Sequence, residues 1–267
     1  MKRYLRFPII CTSIFIFIML ISIIWQNYGT PNIQAGIQNA LNEKNTQSTA
    51  ESQSETKDKS DSPDNDDTTD SDSDETSDSN VSSKKRIALT FDDGPHPKYT
   101  SKLLDGLAER NVKVTFFVLG ENAANYPELL KRMSDEGHLI GNHTYSHVQL
   151  SCIPEDKAII EINNTNLVIE EATGNIPKYI RPPYGFLPKS LKSETNLTPV
   201  LWNVDPRDWS VLNTDSIVNH VIKRAKDGSI ILLHDIFDTS VDAALLIIDK
   251  LTQEGFEFVT VDEFYGN

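Results

Sequence analysis

From Lys84 to the carboxyl terminus, short apolar runs alternate with segments of helical periodicity at least six times, and this alternation restricts the chain to a few architectures. Ile87–Phe91, Val114–Val118, His138–Gly141, Lys178–Arg181, Pro199–Trp202, Ser229–Leu233 and Glu257–Val261 read as strands. Lys102–Arg110 places Leu103, Leu104, Leu107 and Ala108 on one helical face. Pro127–Glu136 begins with a proline suited to a first helical turn, and Glu155–Ala172 runs up to Gly174 as a stop. Further helices are expected near Asp215–Ala225 and Val241–Gln253. The expectation is an α/β fold, a parallel sheet covered by helices. The 184 residues from Lys84 onward are too few for a complete eight-fold barrel of about 250 residues. A distorted, reduced (β/α) barrel of about seven strands fits them, with an open doubly wound sheet as the alternative.

The residues before Lys84 are of a different kind. Phe7–Trp25 is an uncharged run of 19 residues, roughly 28 Å as a helix and close to the roughly 30 Å hydrocarbon core of a bilayer. Lys2, Arg3 and Arg6 precede it, which predicts a single-pass anchor with the amino terminus in the cytoplasm and the remainder outside the cell. The competing reading is a signal peptide cleaved near Ile33-Gln-Ala35, which would give a secreted protein. The length of the apolar run favours the anchor, and both readings export the chain. Residues 26–83 hold 13 acids against 3 lysines, are rich in Ser and Asp, and have almost no large apolar residue after Leu41. Such a segment buries too little surface to offset the entropy of ordering, so it reads as a disordered acidic linker. The expected organisation is therefore residues 1–25 as cytoplasmic stub and anchor, 26–83 as linker and 84–267 as the folded domain. The only cysteines are Cys11 and Cys152, so the folded portion has no internal disulfide to form. Its mildly acidic balance argues against nucleic acid as a partner.

The polar residues of interest all fall just after expected strands, where barrels of this class carry their chemistry. Asp92 and Asp93 follow the first strand at a Gly-Pro turn. In a continuing strand their side chains would point to opposite sides, so they share a site only if the turn re-aims one of them. One can then bind a metal while the other handles a proton. His143 and His147 lie four apart, and a single helical turn would put both on one face within reach of one ion. Two histidines and a carboxylate leave coordination positions open, as catalytic sites do. Arg181-Pro-Pro-Tyr-Gly185 is a stiff turn whose arginine can hold a carboxylate in a bidentate pair. Leu232 and His234, two apart on a strand, share a face that should be the interior one. A buried imidazole there needs a carboxylate such as Asp208 to stay protonated as an acid. His96, His138 and His220 lack such company and read as structural or exposed.

Thr90-Phe-Asp-Asp-Gly-Pro95, His143-Thr-Tyr-Ser-His147, Arg181-Pro-Pro-Tyr-Gly185, Asp208-Trp209 and Leu232-Leu-His234, in this order, resemble the five motifs of the polysaccharide deacetylase family. The resemblance covers Lys84–Asn267, with no departure at a motif position. It implies a divalent metal held by Asp93, His143 and His147, with zinc the first expectation and cobalt, nickel or manganese also compatible. It further implies Asp92 as general base held by Arg181, and His234 as general acid tuned by Asp208. Trp209 and Leu232 would wall a slot for the acetyl methyl group, and the backbone N–H of Tyr184 would assist at the oxyanion. The activity so implied is removal of N-acetyl groups from N-acetylglucosamine units of a polysaccharide, with peptidoglycan the first candidate. Chitin-like or exported poly-N-acetylglucosamine and O-acetylated xylan are the alternatives, and a silent glycan-binding module is a further one. The expected partners are the acetylated polymer and the membrane, with the chain a monomer.

Overall fold

The computed structural model describes residues 84–265. Its centre is a seven-stranded sheet formed by β1 (Lys85–Asp92), β2 (Thr115–Val118), β3 (Leu139–Asn142), β4 (Tyr179–Ile180), β5 (Thr198–Pro199), β6 (Ser229–His234) and β7 (Phe256–Phe258). The strand order is β5-β4-β3-β2-β1-β6, and every pairing is parallel. Ile87 lies opposite both Ser229 of β6 and Phe258 of β7. Strand β7 therefore sits on the β2 side of β1, below the register in which Thr90–Asp92 meet Thr115–Phe117. The sheet curls until the segment after β5 meets β6 through one bridge, Val204 to Ile231, where the Leu232 N–H donates to the Val204 carbonyl at 2.9 Å. This closure makes the fold the distorted barrel rather than the open doubly wound sheet.

Alternation along β1 sorts residues between two environments. Ile87, Leu89 and Phe91 pack outward in a core shared with Leu103, Leu104 and Leu107 of α1 (Tyr99–Arg110). Val241, Ala244, Ile247, Ile248 and Leu251 of a later helix, Asp238–Gln253, complete that layer. Truncating any one of these leucines to alanine would cost about 2–5 kcal/mol. Ala88 faces the barrel interior, where it packs with Phe117, Tyr179 and Val200. Thr90 and Asp92 continue that inward row toward the carboxyl rim and are buried.

The remaining helices are α2 (Gly120–Asn125), α3 (Pro127–Asp135), α4 (Glu155–Thr173), α5 (Lys189–Thr195), α6 (Asp208–Val211), α7 (Thr214–Ile222), α8 (Asp238–Gln253) and α9 (Val261–Tyr265). Helix α3 starts at its proline, and α4 ends on Gly174 at φ 75°, whose N–H bonds the Glu170 carbonyl at 2.8 Å. The expected strand over 257–261 is corrected: β7 stops at Phe258 and α9 begins at Val261. Glu263 reaches back to the Thr260 N–H at 2.7 Å, which starts a helix where apolar content alone suggests a strand. Among the described residues no helix is long and apolar enough to cross a membrane. The expected anchor at 7–25 and linker at 26–83 lie outside the described residues.

Candidate active site

Asp92 closes β1 on the interior face and is 3% exposed. Asp93 leaves the strand at φ 73°, and this turn brings its carboxylate to the same side as that of Asp92. Asp93 Oδ1 lies 3.4 Å from His143 Nε2 and 3.5 Å from His147 Nε2, and Asp92 Oδ2 lies 3.7 Å from His143 Nε2.

The two histidines come from the loop after β3, and here the expected helical turn is corrected. Thr144 and His147 adopt φ of 67° and 57°, so two left-handed kinks fold the loop back and bring the rings to 5.0 Å between centroids. Asn142 favours this shape, since its Oδ1 accepts the Thr144 N–H at 2.7 Å. The loop lies so close to α2 that a Cβ on Gly120 would overlap the Tyr145 ring. His143 Nδ1 is 2.5 Å from the Arg181 carbonyl, which assigns the proton to Nδ1 and leaves the Nε2 lone pair facing Asp93.

Burial pushes the Asp93 carboxyl up, but the neighbouring imidazoles, His143 first and then His234 and His147, outweigh it and hold the group below its ordinary value. For His143, burial opposes protonation, yet the two aspartates and the Arg181 carbonyl raise it. His147 is lowered, chiefly by burial. Asp93, His143 and His147 each offer a ligand atom within 4.8 Å of the others. Asp93 Oδ1 is buried and has no hydrogen-bond partner, an arrangement that a cation would satisfy. The donor set therefore fits one divalent ion.

Arg181, at the end of β4, is fully buried. Its Nη1 donates to Asp92 Oδ1 at 2.8 Å and to Thr90 Oγ1 at 2.7 Å, and its Nε donates to the Val200 carbonyl at 3.2 Å. The expected bidentate pair is thus corrected to a single bond, through the same Nη1 that also bonds Thr90, two residues before Asp92 on the same face. The cation also lies 4.2 Å from the centre of the Phe117 ring.

Leu232 and His234 do share the interior face of β6, and both line the cavity with the two aspartates. Asp208, fully buried at the start of α6, takes the His234 Nδ1–H at 2.8 Å through one oxygen and the His234 backbone N–H at 2.8 Å through the other. Burial disfavours the imidazolium, but the hydrogen bond and charge of Asp208, with Asp92 and Asp93 behind it, push His234 up to about 9.

The cavity has a volume of about 390 Å³. Trp209 and Tyr184 stand at its mouth, 53% and 68% exposed, and the Tyr184 ring lies 5.2 Å from that of His147. Pro182, from the Arg181–Gly185 motif, also lines it, as do Trp202, Asp205 and Phe237, which sequence reasoning did not place in the site. Of these, only Asp205 had a signal, its place three residues before Asp208. Asp235, next to His234, is buried below Gly94 and bonded by the Thr100 hydroxyl; burial raises it to about 7. His138 is buried at the opposite end of the barrel, with Nδ1 accepting the Val114 N–H and burial lowering it to about 4. His96 caps backbone N–H groups of Lys98 and Tyr99. His220 lies on α7, partly exposed and away from the cavity.

A carboxylate pair, two imidazoles facing one of them, and a charged imidazole across a cavity define a hydrolase-type site at the carboxyl rim of a parallel barrel. The model of the polysaccharide deacetylase family matches residues 79–200. The chain belongs to this family. It is 46% identical to the peptidoglycan-N-acetylmuramic acid deacetylase PdaC of Bacillus subtilis over 68% of this chain and 39% of that one. The solved structure of that enzyme superposes with a TM-score of 0.67, covering 68% of this chain and 90% of the solved one. A peptidoglycan-N-acetylglucosamine deacetylase of Bacillus cereus is 44% identical over 68% of this chain and 69% of its own. A family 4 acetyl xylan esterase from Clostridium thermocellum, solved with a cobalt ion, is 35% identical with a TM-score of 0.64 over 68% of this chain and 90% of that one. The chain thus spans about two fifths of the length of PdaC.

Proposed function

We propose that this chain is a metal-dependent N-deacetylase that hydrolyses the acetamido group of N-acetylglucosamine units in a polysaccharide, with peptidoglycan as the polymer. The observation that carries the reading is the division of charge in the cavity: a metal-type donor set around Asp93, a second carboxylate held by Arg181, and an imidazole raised to about 9 by Asp208. Peptidoglycan is favoured by the relatives named for it in Bacillus subtilis and Bacillus cereus.

An amide is a poor electrophile with a poor leaving group, so its hydrolysis needs an activated water, a sink for the oxyanion and a proton for the nitrogen. Asp93, His143 and His147 would hold the divalent ion, zinc in the first instance, which when bound acidifies water and polarises the carbonyl. Asp92 accepts the water's proton, and its bond to Arg181 fixes the direction in which the carboxylate works. His234 carries a proton at Nε2 and delivers it to the departing amine, while Asp208 keeps the ring charged and oriented through Nδ1. Leu232 and Trp209 bound the acetyl methyl group, and the Tyr184 N–H is the backbone donor for the oxyanion.

The reading extends to the rest of the chain: residues 1–25 anchor it in the cell membrane, 26–83 form the tether, and 84–267 work outside the cell as a monomer. Cleavage after the apolar run would release the same domain. The decisive experiment is incubation of the metal-loaded protein with peptidoglycan, chitooligosaccharides and acetylated xylan in parallel, reading acetate release and product mass. Loss of one acetyl mass from peptidoglycan sugars supports the proposal. Release from xylan alone makes the chain an O-acetyl esterase, and release from none leaves a glycan-binding module.

A further inference from the structure

We infer that Glu161 is a positioning residue for the metal site: its carboxylate clamps the loop that carries His143 and His147 and so sets how tightly the ion is held. This rests on the metal-site reading above and adds to it a residue from a helix outside the five motifs. Glu161 is on α4, half-buried, and one of its oxygens accepts both the Tyr145 N–H at 3.0 Å and the Ser146 N–H at 2.8 Å. Its other oxygen accepts the Ser146 hydroxyl at 2.9 Å. One side chain thus binds the two residues that immediately precede His147 with three hydrogen bonds.

The loop needs such a clamp. Left-handed φ at Thr144 and His147, both non-glycine, costs of order 1 kcal/mol or more at each and persists only where the surroundings over-determine it. The surroundings do so from two sides. Gly120 and Glu121 N–H groups at the start of α2 bond the Thr144 and Tyr145 carbonyls, each at 3.0 Å. On the other side α4 holds the loop twice, through Glu161 and through Asn142, whose amide donates to the Ile162 carbonyl at 2.8 Å and to Asn166 at 2.7 Å. His143 has its own brace in the Arg181 carbonyl, whereas the His147 ring, beside Asp93, His143 and the edge of Tyr184, has no hydrogen bond to fix it among the described residues. The position of His147 is therefore set by its backbone, and that backbone hangs on Glu161.

The effect is one of reach rather than charge, and two conservative variants separate these. Glu161→Gln keeps the length and an oxygen for the two N–H groups while removing the charge. Glu161→Asp keeps the charge but shortens the arm by one methylene, about 1.5 Å. The zinc dissociation constant is measured by competition with a chromophoric chelator, alongside the melting temperature of the metal-free protein. Glu161→Asp is expected to weaken zinc binding about 10- to 100-fold, as loss of a ligand-orienting partner does. Glu161→Gln should stay within about threefold of the parent, and Ser146→Ala, which removes one of three bonds, should fall between. Unchanged affinity in Glu161→Asp, or equal losses in the Gln and Asp variants, would overturn the inference. A parent protein that binds no zinc would instead sink the metal-site reading itself, and the inference with it.

Discussion

Replacing Asp208 with asparagine tests whether the acid in this site exists because a carboxylate maintains it. The parent His234 stands at about 9 against an ordinary 6.5, although burial acts in the opposite direction. Without the carboxylate the imidazole should fall to its ordinary value or lower, a displacement of about two units or more. The geometry adds to the loss. Asp208 accepts two N–H groups, and an asparagine has one oxygen for them. The backbone N–H of His234 keeps that oxygen, so the amide NH₂ faces Nδ1 and turns the ring into an acceptor, which favours the neutral form. A group raised in the folded state is protonated below its folded value and loses the proton as pH rises through it, so the alkaline limb of the rate profile belongs to His234. In Asp208→Asn that limb should move toward acid by about two units, with turnover about 100-fold lower at any pH above both limbs and little changed below both. A bound cation lowers the limb in both proteins and leaves the difference. The same linkage acts on stability: the ion pair's contribution is complete below about 6.5 and is lost as pH rises through about 9, so the parent should lose stability across that window while the variant does not. The assay is acetate release from a chitooligosaccharide between pH 5 and 10 with metal saturated. A variant whose alkaline limb stays at the parent position would refute the reasoning.

His143→Ala and His147→Ala should each lose metal and activity together, whereas Asp92→Asn should keep the metal and lose turnover by about 10²- to 10⁴-fold; metal content of the purified Asp92→Asn protein checks this, and a metal-free variant would mean that the two aspartates exchange roles. Arg181→Met leaves the Asp92 carboxylate buried without its cation and should destabilise the domain by about 3–5 kcal/mol in urea unfolding. Combining it with Asp92→Asn should recover much of that loss, and additive losses would show that the pair is not what the arginine stabilises. A chain beginning near Val81 should fold and retain full activity on soluble oligosaccharides, since every strand among the described residues and every proposed site residue follows Lys84; an insoluble or inactive product beside an active longer chain would argue against residues 26–83 as a simple tether.

Strand content and the rim placement of the chemistry were legible because short continuous apolar runs, buried on both faces of the sheet, and strand-end position are local properties of a sequence. The inward row Ala88, Thr90, Asp92 and the inward pair Leu232, His234 follow from alternation alone. What spacing misread was the loop from His143 to His147. A separation of four fits a helical turn, but two left-handed residues and the brace from α4 achieve the same convergence without one. That brace is tertiary and leaves no mark within the motif. Helix α9 was legible and passed over, because Thr260-Val-Asp-Glu263 is a capping box at the end of an apolar run. The short helices α2, α5 and α6 have too few turns to display periodicity, and α6 owes its start to Arg207 at φ 55°. Trp202 and Phe237 reach the cavity only through the curl of the sheet, which no local pattern encodes.

The charges of the cavity explain why a carboxylate, an imidazole and a metal-type donor set can share so small a volume without cancelling one another. Asp92, Asp93, Asp205 and Asp208 set four carboxylates in or beside the cavity, against the cations of Arg181 and protonated His234, so without an ion the pocket has an excess of negative charge. That imbalance draws a proton toward His143, whose position is raised by the aspartates despite complete burial. A divalent ion held by Asp93, His143 and His147 would compete with that proton for the same lone pair and offset the excess of negative charge. Three of the carboxylates have separate counter-charges, Asp92 in Arg181, Asp208 in His234 and, in the proposed mechanism, Asp93 in the ion. Because Arg181 spends one nitrogen on Asp92 and shares itself with Thr90 and Val200, Asp92 keeps an oxygen free to take a proton. In the proposed mechanism Asp92, on taking the proton, would lose its negative charge just as one develops on the carbonyl oxygen. The oxyanion would then form among groups already ordered and less negative than before, which is the condition under which electrostatic stabilisation needs no further reorganisation.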